Sequence, residues 1–224
     1  MQKNKPALFI ILMLLLLFVI YMIVKPSAIV EKQLPFLGNH RLDTHYHGDN
    51  QHIDTLWHTV PQFNFVNQDG KSITNADVVG KIYVVDFFFT TCKTICPAMS
   101  QAMSEIYKQF LTEDKFLILS HTVDPETDNP AQLKEYASNF NAKSDKWQFL
   151  TGEKQQLYEI ARKGYLLEAS IGSGGPDDFI HTQNFALVDQ NGRIRGIYDG
   201  LNQEEIDLLI KDVRVLLYKL KKSN

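Results

Sequence analysis

Cysteine is scarce in this 224-residue chain: there are two, Cys92 and Cys96, too few for a disulfide framework. An excess of charge is missing as well. Lys and Arg number 23 against 26 Asp and Glu, a formal net charge of −3, and that balance leaves no electrostatic footprint for nucleic acid. Internal repeats are absent. The apolar (44%) and charged (22%) fractions are those of an ordinary globular chain, which excludes a disordered or collagen-like protein. The length corresponds to about one and a half typical domains, hence one domain with an appendage.

One hydrophobic run breaks the average. From Ala7 to Val24, ALFIILMLLLLFVIYMIV, no residue is charged, and at 1.5 Å per residue the run comes close to crossing a ~30 Å hydrocarbon layer. A cleaved signal peptide has a shorter apolar core, ~7–15 residues, and a small-residue cleavage site. Here Lys25-Pro26-Ser27-Ala28 is a poor site and no lipobox cysteine follows. Residues 1–25 are therefore expected to form a single N-terminal transmembrane helix. Lys3 and Lys5 hold the N-terminus in the cytoplasm. In a bacterium this makes a single-pass inner-membrane protein whose remaining chain faces the periplasm, where thiols are open to oxidation.

Residues 26–58 are polar, without apolar periodicity, and are expected to be a tether. His40, His45, His47, His52 and His58 make it rich in histidine, five of the chain's seven. Neutral imidazoles bind Cu, Zn and Ni, but such a tract alone is compositional, and a solvated linker explains it more simply.

From Val60 the signals alternate between strand and helix. PQFNFVNQDGKSI predicts a β-hairpin turning at Asp69-Gly70. Ile82 to Phe89 and Phe116 to Val123 are apolar runs suited to strands buried on both faces. Helices are expected from about Pro97, from Asn129-Pro130 to about Phe140, and over Gln155 to Lys163. Trp147 to Leu150 suggests a short strand, and FALVDQNGRIRGIY a second hairpin through Asn191-Gly192. In the final segment Ile206, Leu209, Ile210, Val213, Leu216, Leu217 and Leu220 form one helical apolar stripe. The pattern specifies an α/β domain over residues 59–222.

The chemistry is concentrated in VVDFFFTTCKTICPAMS. Cys92 and Cys96 stand four residues apart where a strand gives way to a helix. Free amides and the dipole at a helix N-terminus favour an ionised sulfur. The pair can clamp a soft metal ion, or close a disulfide, since the spacing lies within the ~4.4–6.8 Å Cα window. Asp86 is the only charged residue inside its buried strand. Desolvation should raise its pKa; it is either a proton acceptor behind the thiols or a carboxylate satisfied by hydroxyls or water. Met99 and Met103 continue the cysteine spacing, but methionine at helical intervals is usually core.

Val85-Asp86-Phe87 with Cys92 six residues beyond the Asp resembles thioredoxins. FFFTTCKTICPAMS, SHTVDPETDNPAQLKEY, WQFLTG and DDFIHTQNFALVDQNGRIRGIYDG, in that order, resemble the SCO/SenC family more specifically. The resemblance implies a thioredoxin-like fold, with a central mixed sheet flanked by helices and an N-terminal hairpin. It also implies a copper site of Cys92, Cys96 and His181, with delivery of copper to the binuclear copper centre of cytochrome c oxidase or preparation of that centre's thiols. The copper-bearing subunit of the oxidase would be the partner.

The residues agree with the resemblance. Two thiolates and one imidazole suit Cu(I) and accept Cu(II), whereas structural zinc normally takes four ligands and no fourth is in sight. The fold would bring His181, just before the strand Asn184 to Val188, beside the cysteine loop. In thioredoxins a proline occupies about that place, and Ile180-His181-Thr182 has none. The Gly-rich approach, Ser170 to Pro176, would let copper draw His181 onto the sulfurs. Asp124, at the end of a parallel strand, is either a supporting residue behind the ligands or an Asp-Pro turn.

Two other functions compete with copper delivery. One is a membrane-tethered enzyme using Cys92 and Cys96 as a redox-active dithiol for thiol–disulfide exchange, and the other is a redox or copper sensor. A peroxiredoxin is excluded, because its P-x-x-x-T-x-x-C pattern fails at both cysteines: Phe89 and Lys93 stand where Thr is required. A single anchor and one domain make a monomer the expected state.

Overall fold

The computed structural model describes residues 5–24, 32–47, 50–167 and 182–223. Helix α1 (Lys5–Val24) carries the hydrophobic run. Its side chains are described from Phe9 to Met22, all exposed, about 21 Å of helix at 1.5 Å per residue. Among the described residues no helix is long and apolar enough to cross a membrane.

The stretch expected as a tether is not featureless. Strands β1 (His40–His47) and β2 (Asn50–Trp57) pair antiparallel as a separate two-stranded sheet. Residues ahead of them dock on the domain. Arg195 donates to the carbonyls of Pro35 and Leu34 at 2.8 and 2.6 Å, and its guanidinium lies 4.1 Å from the centre of the Phe36 ring. The Lys32 ammonium pairs with the buried carboxylate of Asp212. Sequence periodicity missed the hairpin for a physical reason. A ribbon that lies on no core keeps Leu42 and Ile53 exposed, so no apolar alternation is needed to hold it.

The domain is built on seven strands in the order β4-β3-β7-β6-β5-β8-β9. These are β3 (Asn64–Asn67), β4 (Ser72–Thr74), β5 (Ile82–Phe88), β6 (Phe116–Thr122), β7 (Trp147–Thr151), β8 (Asn184–Val188) and β9 (Ile194–Asp199). The three strands β5, β6 and β7 run parallel, and the flanking pairs are antiparallel. Both expected hairpins form, with Gly70 and Gly192 at φ +74°, a region open to glycine at little cost.

The helices are α2 (Asn75–Val78), α3 (Cys96–Gln109), α4 (Pro130–Ser138), α5 (Lys154–Glu159) and α6 (Gln203–Ser223), with a π-helical turn over Ile160–Gly164 continuing α5. Asn129 caps α4 by accepting from the N–H groups of Ala131 and Gln132, as its Asn-Pro start requires. The periodic stripe of α6 is buried at Ile206, Leu209, Val213, Leu216, Leu217 and Leu220, each worth roughly 1.5–3 kcal/mol.

Alternation along β5 divides the core. Ile82, Val84 and Phe88 pack with α3, α4 and α6, whereas Tyr83, Val85 and Phe87 pack on the opposite face with the residues of α5. Asp86 shares the face of Val84 and Phe88, and so lies on the side of the cysteines.

Candidate metal centre

β5 ends at Phe88, and the chain turns through residues 89–95 into α3. Cys92 sits half-buried in this turn, and Cys96 is the buried first residue of the helix. Both sulfurs are free thiols. The helix expected from about Pro97 begins one residue earlier, at Cys96, and the turn before it brings Cys92 to its N-terminus.

Helix α3 lacks a side-chain cap, because Ile95 at its N-terminus has no acceptor to offer. The Cys92 sulfur takes up that role in part. It accepts from the Cys96 thiol, from the Thr94 hydroxyl at 3.5 Å, and from the backbone N–H groups of Cys96 and Thr94. Partial burial pushes Cys92 up, but these hydrogen bonds outweigh it and lower the thiol to about 7. Cys96 goes the other way. Burial, then its hydrogen bond to Cys92, with the negative charge of Cys92 and Asp86 adding, pushes it up to about 12. One sulfur is thus an available thiolate near neutrality and the other a retained thiol.

Behind them Asp86 is fully buried, and burial raises it to about 7. Its partner in register across β6 is Ser120, whose hydroxyl donates to it at 2.5 Å. Ser120 in turn accepts from the indole N–H of Trp147 at 2.8 Å. The carboxyl is therefore satisfied by a hydroxyl and also placed where its charge reaches the thiols.

Two residues of this site, Asp128 and Tyr136, were not singled out from the sequence. Asp128, fully buried, accepts from the Thr90 hydroxyl at 2.5 Å, the Thr90 N–H at 3.1 Å and the Thr122 hydroxyl at 2.5 Å. It ties the cysteine turn to the end of β6. Tyr136 stacks on Phe88 and shares a 2.8 Å hydrogen bond with Ser100, and the charges of Cys96, Asp86 and Cys92 add to the burial that raises its hydroxyl to about 12. Only the capping signal at Asn129 hinted that this corner was built around α4.

Asp124 follows β6 at the cysteine end of the sheet. Its backbone carbonyl accepts from Thr127 and Asp128 and closes the turn. Met99 and Met103 are buried core residues.

His181 falls in residues 168–181, outside the described residues, as does the Gly-rich segment before it. Among the described residues no third His, Cys, Asp or Glu joins the sulfurs in a metal-holding group. The histidines with described side chains lie elsewhere. His58 Nε2 bonds the Gly164 carbonyl at 2.8 Å, and His40 lies against Trp57. His121 is buried on the far face of the sheet against Phe87 and Phe65, where burial lowers it to about 3 and keeps it neutral.

The family model SCO1/SenC matches residues 53–217. The SCO1 protein homolog of Bacillus subtilis (strain 168) is 37% identical over 169 residues, covering 75% of this chain and 87% of its own length. The structure is similar to that of BsSco, a member of the Sco family of cytochrome c oxidase assembly proteins in which a disulfide switch has been identified. That likeness has a TM-score of 0.61 and 35% identity, over 71% of this chain and 94% of that one. It also resembles ScoI of Bradyrhizobium japonicum with copper bound, with a TM-score of 0.57 over 70% of this chain and 99% of that one; at 24% identity this is a likeness of fold.

Proposed function

Because the chain belongs to the SCO1/SenC family, we propose that it is a membrane-anchored copper metallochaperone. It delivers copper to the binuclear copper site of cytochrome c oxidase or prepares the thiols of that site, with the copper-bearing subunit as its partner. The observation that carries the reading is the sulfur pair at the start of α3: Cys92 half-exposed and lowered to about 7, Cys96 buried beside it. Two such sulfurs suit Cu(I), and His181 is the proposed imidazole that completes a site able to take Cu(II). A metal bond to Cys96 replaces its proton, which explains how a thiol held up by burial still serves as a ligand. Asp86 is the acceptor placed behind it for that proton, and Asp124 supports the ligand loop. The uncharged run from Ala7 to Val24 is the anchor, and the lysines before it set the domain on the periplasmic side of a bacterial inner membrane.

The test is copper titration of the reduced full-length chain in detergent, with His181→Ala and Cys92→Ser alongside. Both substitutions should remove most of the affinity. If His181→Ala binds copper as tightly as the parent, the three-ligand site is wrong.

The split between the two thiols favours a second reading, thiol–disulfide exchange. The Cys92 thiolate attacks a client disulfide and expels one client sulfur as thiolate. Cys96, losing its proton, then attacks Cys92 in the mixed disulfide, so the client leaves reduced and a Cys92–Cys96 disulfide remains. This chemistry would persist in His181→Ala, which separates it from copper binding.

A further inference from the structure

Helix α6 carries a second stripe besides its buried apolar one. Lys211, Arg214, Tyr218 and Lys221 recur along it at intervals of three and four, with Lys222 beside them. All five are exposed, Tyr218 with 44% of its surface. A basic helix face is most often only a solvated one, but two relationships single this face out.

The first is its place in the domain. Arg214 donates to the side-chain carbonyl of Gln109 at 2.7 Å, and Lys221 pairs with Glu113 at 2.8 Å. Gln109 is the last residue of α3, which runs 14 residues, about 21 Å, from Cys96. The stripe therefore marks the end of the domain opposite the cysteine centre, where Leu111 is also exposed. Of the acids at this end, Glu113 is taken up by Lys221 and Asp114 lies 3.8 Å from Lys146. Lys211, Arg214 and Lys222 pair with no carboxylate among the described residues.

The second is its reach from the apolar run. Lys32 is pinned to α6 twice: its ammonium pairs with Asp212, and its carbonyl accepts from Lys219 Nζ at 2.7 Å. Helix α1 ends at Val24, eight residues before Lys32. Even fully extended, that stretch spans at most ~29 Å. The basic end of the domain is thus held close to wherever the apolar run is embedded.

Resting on the reading of Ala7 to Val24 as a membrane anchor, we propose that the face of Lys211, Arg214, Tyr218 and Lys222 seats the domain on anionic lipid headgroups. Lysine and arginine near an anionic bilayer surface are attracted to it, and tyrosine favours the headgroup layer. The seat sets the domain upright. It turns the cysteine centre away from the lipid, at a height of about the length of α3.

The experiment uses the full chain reconstituted into vesicles, either of phosphatidylcholine alone or with one-quarter phosphatidylglycerol. Lysines are acetylated in a short pulse and mapped by peptide, each normalised to Lys93, which is exposed in the cysteine turn at the other end. On the anionic vesicles Lys211 and Lys222 should label at least about threefold more slowly than on the neutral ones. Salt at about 0.5 M should restore their labelling. Lys211→Glu combined with Arg214→Glu should abolish the protection of Lys222. Protection of Lys222 that survives this double reversal would overturn the seat. So would equal labelling on both vesicles by a chain that resists an alkaline carbonate wash, with the anchor left standing. Release of the chain by that wash would overturn the anchor, and the seat with it.

Discussion

Thr90 and Asp128 are joined twice, the Thr90 N–H at 3.1 Å and its hydroxyl at 2.5 Å both donating to the buried carboxylate. Since Thr90 lies two residues before Cys92, this link fixes the start of the cysteine turn, and Thr122 adds a third donor from β6. Asp128→Ala leaves those donors buried without an acceptor, and should cost about 3 kcal/mol in denaturant unfolding. Asp128→Asn, which keeps one acceptor oxygen, should recover part of it. Equal stability of Asp128→Ala and the parent would show that water replaces the carboxylate.

The reactivity of the two thiols should differ sharply. Alkylation of the reduced, metal-free chain should rise with pH through about 7 and label Cys92, because Cys96 is held up at about 12. Peptide mapping after a short pulse with iodoacetamide at pH 7.5 reads this directly. Comparable labelling of both cysteines would mean that the hydrogen bonds to the Cys92 sulfur do not persist in solution.

Much of this architecture was visible in the sequence because it obeys local rules. The runs Ile82 to Phe89 and Phe116 to Val123 had to be two-faced strands, each of which ends one residue earlier in the fold, and Asp69-Gly70 and Asn191-Gly192 had to turn. Asn129-Pro130 announced α4, and the cysteine spacing announced a site. What escaped was either non-local or free of hydrophobic pattern. Asp128 and Tyr136 both lie within SHTVDPETDNPAQLKEY, but they reach the cysteine turn only through tertiary folding, and no local pattern along that segment says so. The pairing of β1 with β2 escaped because its order comes from backbone hydrogen bonds and not from an apolar face.

Copper should alter the accessibility of the Gly-rich segment. If His181 binds the same ion as Cys92 and Cys96, limited proteolysis within residues 168–181 should slow when copper is added, and the protection should vanish in His181→Ala. Unchanged cleavage rates with and without copper in the parent chain would separate His181 from the sulfurs.

Asp86 makes an unusual contribution to pH dependence. Its folded-state value is about 7, raised by burial from 3.8. Below pH 4 both folded and unfolded chains hold this proton, and the neutral carboxyl costs nothing extra. Between pH 4 and 7 the unfolded chain has lost the proton while the folded one keeps it. Raising the pH across that window therefore destabilises the fold, by up to about 1.4 kcal/mol per pH unit and about 4 kcal/mol in all. Other carboxylates impose their own slopes, so the informative quantity is the difference between the parent and Asp86→Asn, which cannot ionise and can still accept from Ser120. Urea unfolding at pH 4, 5.5 and 7 should show the variant gaining on the parent as pH rises. Parallel curves would mean that water or a rearranged Ser120 supports the carboxylate in its charged form, and the reading of Asp86 as a proton acceptor behind Cys96 would lose its physical basis.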